Sequence, residues 1–246
     1  MKVKTTWVPS ALTMANLFCG YFSVIQATNA KFIQASWLIV AAAVLDAIDG
    51  KVARFTKSSS QFGVEYDSLA NVISFGFATS FLVYSVAFKS WGMIGLLISF
   101  GPLVFGSIRL ARFNVRLKGF DKEFFEGLPI PAAAVTISTF VIFNFNIWGY
   151  LRWEKVFLFI IIAVSIMMVT GFRFATFPNL TFQSSASNRR KFLIVLTGVI
   201  LIAIFPQESF FPLSALYVLS GPVGLIWAIF RNQDSGSNKN SKDKRE

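Results

Sequence analysis

Eight long apolar runs dominate this chain of 246 residues, and they leave no stretch large enough for a separate water-soluble domain. The runs centre on Leu12–Ala27, Ala35–Val52, Asp67–Phe88, Met93–Leu110, Pro131–Ile147, Lys155–Gly171, Phe192–Phe205 and Leu213–Phe230. A helix that crosses a bilayer needs roughly 17–25 mostly apolar residues. Several runs are shorter, so their helices are expected to extend past the apolar edges. The predicted fold class is an all-α integral membrane protein, a polytopic bundle of about eight transmembrane helices. The membrane domain covers residues 1–231. The segment from Ile204 to Pro212 reads as a tight connection. Residues 232–246, rich in Ser, Asn and Lys, have the composition of a disordered polar tail.

Lys and Arg orient the bundle. With both termini cytoplasmic, as an even span count requires, 19 of the 23 basic residues fall on the cytoplasmic side. Only Lys31, Lys89, Arg152 and Lys155 fall on the other, which is the positive-inside pattern. The net charge of +11 is then a set of basic loops facing anionic membrane lipids. No nucleic acid partner is indicated, because no basic stripe with interleaved aromatics lies outside the apolar runs. Lys2 and Lys4 ahead of the first run have the look of a signal peptide. Thr13, Asn16 and Gln26 make that run more polar than a signal core, and its removal would break the charge pattern.

Composition narrows the chemistry. Charged residues make up 14% of the chain, against about 25% in a soluble domain. The 29 Phe residues need burial, which argues against disorder. There is no His, so no Ser-His-Asp or Cys-His nucleophilic machinery exists. One Cys supports neither an intrachain disulfide nor a Cys/His zinc site. Transfer or hydrolytic chemistry must run on carboxylates, hydroxyls, Lys or Arg, and a hard metal ion.

Carboxylates inside transmembrane segments are costly and mark function by default. Asp46, Asp49 and Asp67 lie in or at the edge of the second and third runs. On a helix Asp46, Asp49, Gly50 and Ala53 share one face, with Arg54 one residue further on. Gly50 and Ala53 leave that face bare for a large ligand. Gly63, Asp67 and Asn71 repeat every fourth residue and share a face of the next helix. The short connection from Phe55 to Phe62 makes the two helices antiparallel neighbours whose acidic faces can meet near the cytoplasmic surface. Converging carboxylates repel one another unless neutralised. Oxygen-only ligands suit a hard divalent cation, Mg²⁺, Mn²⁺ or Ca²⁺. Arg54 on the same strip can hold a phosphate oxygen. The competing arrangement is a polar collar in which the Asp residues pair with Arg54, Lys51 and Lys57.

The string Asp46-x2-Asp49-Gly50-x2-Ala53-Arg54-x8-Gly63-x3-Asp67-x3-Asn71 resembles the signature of the CDP-alcohol phosphotransferases. Further segments resemble its CDP-diacylglycerol–serine O-phosphatidyltransferase branch. They are Ala15–Gly20, Glu65–Ala70, Ser74–Gly76, Arg109–Asn114 and Gly127–Pro131. The resemblance covers roughly residues 8–180. It implies transfer of a phosphatidyl group from CDP-diacylglycerol to L-serine, giving phosphatidylserine and CMP. It implies one or two divalent ions on Asp46, Asp49 and Asp67, a homodimer, and a prokaryotic inner membrane location with the active site facing the cytoplasm. Gly50, Ala53 and Gly63 would line the nucleotide slot and Arg54 would contact the donor phosphates. Thr13 and Asn16 would face the nucleotide or bond between helices. Arg109, Arg112 and Arg173 are candidates for the acceptor carboxylate, with positive-inside anchoring as the competing role for Arg109 and Arg112. In the family the position of Asn71 is an Asp, the favoured general base and a metal ligand. Asn cannot take a proton and its amide oxygen coordinates a cation only weakly, so the resemblance implies a weakened metal ligand at Asn71, Asp67 as the other catalytic residue, and an impaired enzyme. Rival readings are a relative using glycerol phosphate or inositol phosphate as acceptor, a catalytically dead binder, and a transporter built on intramembrane acids.

Overall fold

The computed structural model describes residues 7–55, 60–116, 124–175, 197–198 and 200–242. Among these the chain is helical apart from one short two-stranded ribbon. Helix α1 (Trp7–Thr28) and helix α2 (Phe32–Phe55) form a closely packed hairpin. Helix α3 (Gln61–Asn71) opens on Ser60, whose hydroxyl accepts the Gly63 N–H at 3.0 Å. That satisfies one of the amide groups a helix start leaves bare. The helix continues through a wider π-helical stretch (Val72–Phe77), α4 (Ala78–Val83) and a second π-helical stretch (Tyr84–Phe88). Gly92, at φ 59°, then admits the reversal into α5 (Gly92–Arg116), which packs back along the same helix. Helix α6 (Ile130–Trp148) has Pro131 in its first turn and ends on left-handed Gly149. Helix α7 (Glu154–Val169) and helix α8 (Pro206–Lys242) follow among the described residues.

Among the described residues, three helical stretches are long and apolar enough to cross a membrane: Phe32–Phe55, Gln61–Val115 and Ile130–Trp148. The second, at 55 residues, contains the reversal at Gly92 and is therefore two antiparallel passes. The exterior is apolar. Phe18, Met93 and Phe159 are 61%, 72% and 71% exposed, which in water would be costly and in lipid is not. Inside, Phe140 stacks on Phe157 at 5.3 Å and meets the Phe211 edge at 4.9 Å, so aromatic contacts join α6, α7 and α8. Pro102 interrupts the ladder of α5, and the next amide, Leu103 N–H, donates to Ser80 Oγ of α4 at 3.0 Å.

Three details differ from the sequence expectation. Strands β1 (Phe124–Glu126) and β2 (Arg173–Ala175) pair antiparallel, with Phe125 opposite Phe174. These segments are too short for an alternating pattern to declare itself. Beside the ribbon Gly127, at φ 75°, brings its backbone against Met168, where a Cβ would lie 2.4 Å from the carbonyl oxygen. Second, α8 starts at Pro206, so the Ile204–Pro212 connection shrinks to a bend at Phe205. Proline at the first helical position lacks only an N–H that would have had no partner. Third, α8 runs on to Lys242, through most of the segment expected to be a disordered tail. Extending an existing helix needs no new nucleus. The run at Phe192–Phe205 lies partly outside the described residues, as does Lys57.

Candidate active site

The acidic residues gather where α1, α2 and α3 meet. Asp46 of α2 faces Asp67 and Asn71 of α3. Asn71 Nδ2 donates to Asp67 Oδ2 at 3.2 Å. One turn along α2, Asp49 accepts a hydrogen bond from Thr13 Oγ1 of α1. The charge of Asp49 acts on both Asp46 and Asp67. Asn16, on the next turn of α1, is fully buried and donates from Nδ2 to Asn71 Oδ1 at 2.8 Å. Two buried acceptors in this junction, Asp49 Oδ1 and Asn16 Oδ1, have no hydrogen-bond partner.

Helix α1 closes the junction. It packs on α2, on α3 and on the π-helical stretch that follows α3. Ser74, in that stretch, donates from Oγ to the backbone carbonyl of Asn16 at 3.0 Å. Gly20 makes the approach possible, since a Cβ there would lie 2.6 Å from Ser74 Cα. The sequence shows the acidic stripes of α2 and α3. It offers bonding between helices as one role for Thr13 and Asn16, and the structure identifies the partners as Asp49 and Asn71.

Two ionised carboxylates about 4 Å apart repel by roughly 4 kcal/mol at an effective dielectric of about 20. The junction therefore calls for positive charge. Its donors are all oxygen, and the Asp46–Asp67 contact and the unpaired Asp49 Oδ1 suit a hard divalent cation. Among the described residues no group of three or more Asp, Glu, Cys or His side chains is placed to hold a metal ion by itself. A cation held here would take further ligands from substrate phosphate and water, as Mg²⁺ usually does.

Gly50 lies at the exposed end of the same face of α2, with nothing within 4 Å of where its Cβ would be. Ala53 is half-buried one turn later. Arg54 is exposed, and its Nε–H donates to the Gly50 carbonyl at 2.9 Å. Gly63 sits in the capping turn of α3, where a Cβ would lie 3.2 Å from Ser60 Oγ.

The three acceptor-site candidates separate. Arg109 of α5 is 8% exposed, its Nε has no hydrogen-bond partner, and it interacts electrostatically with Tyr217 of α8. Arg112 is exposed and donates from Nη1 to the carbonyl of Val169, the last residue of α7, at 3.2 Å. That bond caps α7. Arg173 lies in β2, with its side chain outside the described residues. Beside Asp67 the structure adds a contact that sequence reasoning missed. Asn114 Nδ2 of α5 donates to Ser68 Oγ at 3.0 Å and approaches Glu65 Oε2 at 3.4 Å. Both partners stand inside family-like segments, but 46 residues apart, so no local pattern announces the pair.

Residues 6–161 match the family model described as CDP-alcohol phosphatidyltransferase. The chain is 37% identical over 225 residues to a CDP-diacylglycerol–serine O-phosphatidyltransferase of Helicobacter pylori, covering 91% of this chain and 92% of that one. It is 40% identical over 171 residues to an archaetidylserine synthase of Methanothermobacter thermautotrophicus, covering 68% and 69% of the two chains. A third relative, the CDP-diacylglycerol–serine O-phosphatidyltransferase of Bacillus subtilis, is 32% identical over 131 residues, 53% of this chain and 73% of that one. With the acidic helix pair in place and the matched segment covering it, the chain belongs to the CDP-alcohol phosphatidyltransferase family.

Proposed function

We propose that this enzyme transfers the phosphatidyl group of CDP-diacylglycerol to L-serine, releasing CMP and forming phosphatidylserine. The observation that carries the reading is the 37% identity across 91% of the chain to a relative named for that reaction. The name of the archaeal relative shares the serine acceptor, which favours serine over glycerol phosphate or inositol phosphate. In the reaction the serine hydroxyl oxygen bonds to the phosphorus that carries diacylglycerol. The bond from that phosphorus to the CMP oxygen breaks, and CMP leaves with the electron pair.

Asp46, Asp49 and Asp67 would hold a divalent cation, Mg²⁺ or Mn²⁺, which when bound neutralises diphosphate charge. The open face around Gly50 and Ala53 receives the nucleotide, with Gly63 on the facing helix and Arg54 at the mouth near the donor phosphates. Thr13 fixes Asp49. Arg109, buried with an unpaired Nε, takes the serine carboxylate, a role to which a planar guanidinium is suited. Arg173 is a further candidate for that carboxylate, whereas Arg112 is engaged in capping α7. Asn71 stands where the family has its base and cannot accept the hydroxyl proton. The proton passes to Asp67, and turnover is slow compared with an Asn71→Asp enzyme.

The eight apolar runs support eight spans, the 19-to-4 division of basic residues supports both termini and the site on the cytoplasmic side, and the inner membrane location rests on the family resemblance. The assembly is a homodimer. The test is CMP release by the purified full chain from CDP-diacylglycerol with Mn²⁺ or Mg²⁺, offered serine, glycerol phosphate or inositol phosphate in turn. Serine-dependent release with phosphatidylserine as product is expected. Release with another acceptor and none with serine would overturn the serine assignment.

A further inference from the structure

The geometry points to Asn16 as a positioning residue: its amide fixes the orientation of Asn71, and through Asn71 it holds the Asp46–Asp67 pair in the form that binds a divalent cation. This rests on the reading of the junction as a cation-dependent phosphatidyl-transfer site.

The polarity of the network runs one way. Ionised carboxylates only accept hydrogen bonds. Asn71 must therefore turn Nδ2 toward Asp67, where it lies at 3.2 Å, with Asp46 also facing it. Asn71 Oδ1 is then left facing α1, and Asn16 Nδ2 donates to it at 2.8 Å. Without that donor Asn71 Oδ1 loses its partner, and the amide is held only from the Asp67 side. A flipped amide would set its oxygen against Asp67. Asn16 is itself held firmly. It is completely buried, and Ser74 Oγ bonds its backbone carbonyl at 3.0 Å. The arrangement assigns Asn16 a task different from touching the nucleotide.

The test uses the purified full chain, with Mn²⁺ binding followed by electron paramagnetic resonance beside the kinetics of CMP release. The variants are Asn16→Ala, Asn16→Leu (which keeps most of the volume), Asn71→Ala and the double Asn16→Ala/Asn71→Ala. Outer partners of metal ligands typically contribute about 10–100-fold to affinity or activity. Each Asn16 variant is expected to weaken Mn²⁺ binding and lower kcat by about that factor, with KM for CDP-diacylglycerol within about twofold. The double variant is expected to match Asn71→Ala alone, because the two amides act as one unit. Unchanged Mn²⁺ affinity with a raised KM for CDP-diacylglycerol would make Asn16 a nucleotide contact and overturn the inference. Losses that multiply in the double variant, absence of Mn²⁺ binding by the parent chain, or failure of both Asn16 variants to fold would overturn it as well. A parent chain that binds Mn²⁺ but releases no CMP with any acceptor refutes the reaction, and the Mn²⁺ series still decides the role of Asn16.

Discussion

Replacing Gly20 by Ala tests whether the contact between α1 and the π-helical stretch after α3 sets the active site. A Cβ at Gly20 would lie 2.6 Å from both Cα and Oγ of Ser74. Carbon atoms pack best at about 3.5–4.0 Å, so the helices must part by about 1 Å. Ser74 Cα is backbone, and no rotamer change relieves the clash. Overpacking of this kind costs about 1–3 kcal/mol. For a chain of this size each kcal/mol lowers Tm by about 2–4 °C. The same displacement stretches the Asn16–Asn71 bond, now 2.8 Å, past the range of a hydrogen bond. A misplacement of about 1 Å at a reaction centre can cost about 100-fold in rate. Thermal unfolding in detergent and serine-dependent CMP release measure the two effects on one preparation. Gly224→Ala, where a Cβ meets nothing within 4 Å, is the control for adding a methyl group to a helix. A Gly20→Ala enzyme with parental Tm and parental turnover would refute the link between this contact and the site.

Gly50→Ala should separate stability from substrate binding. A Cβ there touches nothing, and Ala stabilises a helix by about 0.5–1 kcal/mol over Gly, so Tm is expected to hold or rise. If the bare face receives the nucleotide, KM for CDP-diacylglycerol rises severalfold in the same variant; an unchanged KM would remove Gly50 from the slot. The two arginines of α5 should differ in kind. Arg109→Lys loses the planar fork, so KM for serine is expected to rise about 10-fold or more while KM for the donor holds. Arg112→Ala removes the Val169 cap and should cost about 0.5–1.5 kcal/mol of stability with kcat and both KM values unchanged. Steady-state kinetics with each substrate varied, beside thermal unfolding, checks both arginine expectations.

The sequence was most informative where physics acts locally. Apolar run length announces α2, the Gln61–Val115 pair of passes and α6. Helical spacing puts Asp46 and Asp49 on one stripe and Asp67 and Asn71 on another, and the structure brings Asp46, Asp67 and Asn71 together. Pro131 marks the start of α6 in the same way. What failed to show is nonlocal. Thr13 and Asn16 are two polar residues in an apolar run, and nothing in their neighbourhood says that their partners are Asp49 and Asn71, 36 and 55 residues on. The π-helical turn that begins at Val72 was equally hidden, because one extra residue per turn leaves an apolar sequence looking unchanged. The ribbon of β1 and β2 pairs segments too brief to carry a period.

Asn71 is where local and nonlocal readings diverge, and Asn71→Asp tells them apart. Taken as a text, the position is a missing base, and restoring the carboxylate should raise kcat by about 10²–10⁴-fold at any cation concentration that supports the parent. Taken as a structure, Asn71 is also a donor that eases the repulsion between Asp46 and Asp67. Asp in its place keeps the acceptor facing Asn16, removes the donor and adds a third charge to the contact. The gain in kcat should then appear only when a divalent cation saturates the site. Below saturation the variant should fall toward the parent rate, and its Mn²⁺ affinity should exceed the parent's, since a further anionic oxygen favours the ion. Measuring kcat across a Mn²⁺ titration for both proteins decides the matter. Parallel curves, with the same Mn²⁺ midpoint and a constant ratio, would mean that Asn71 contributes only the absence of a base.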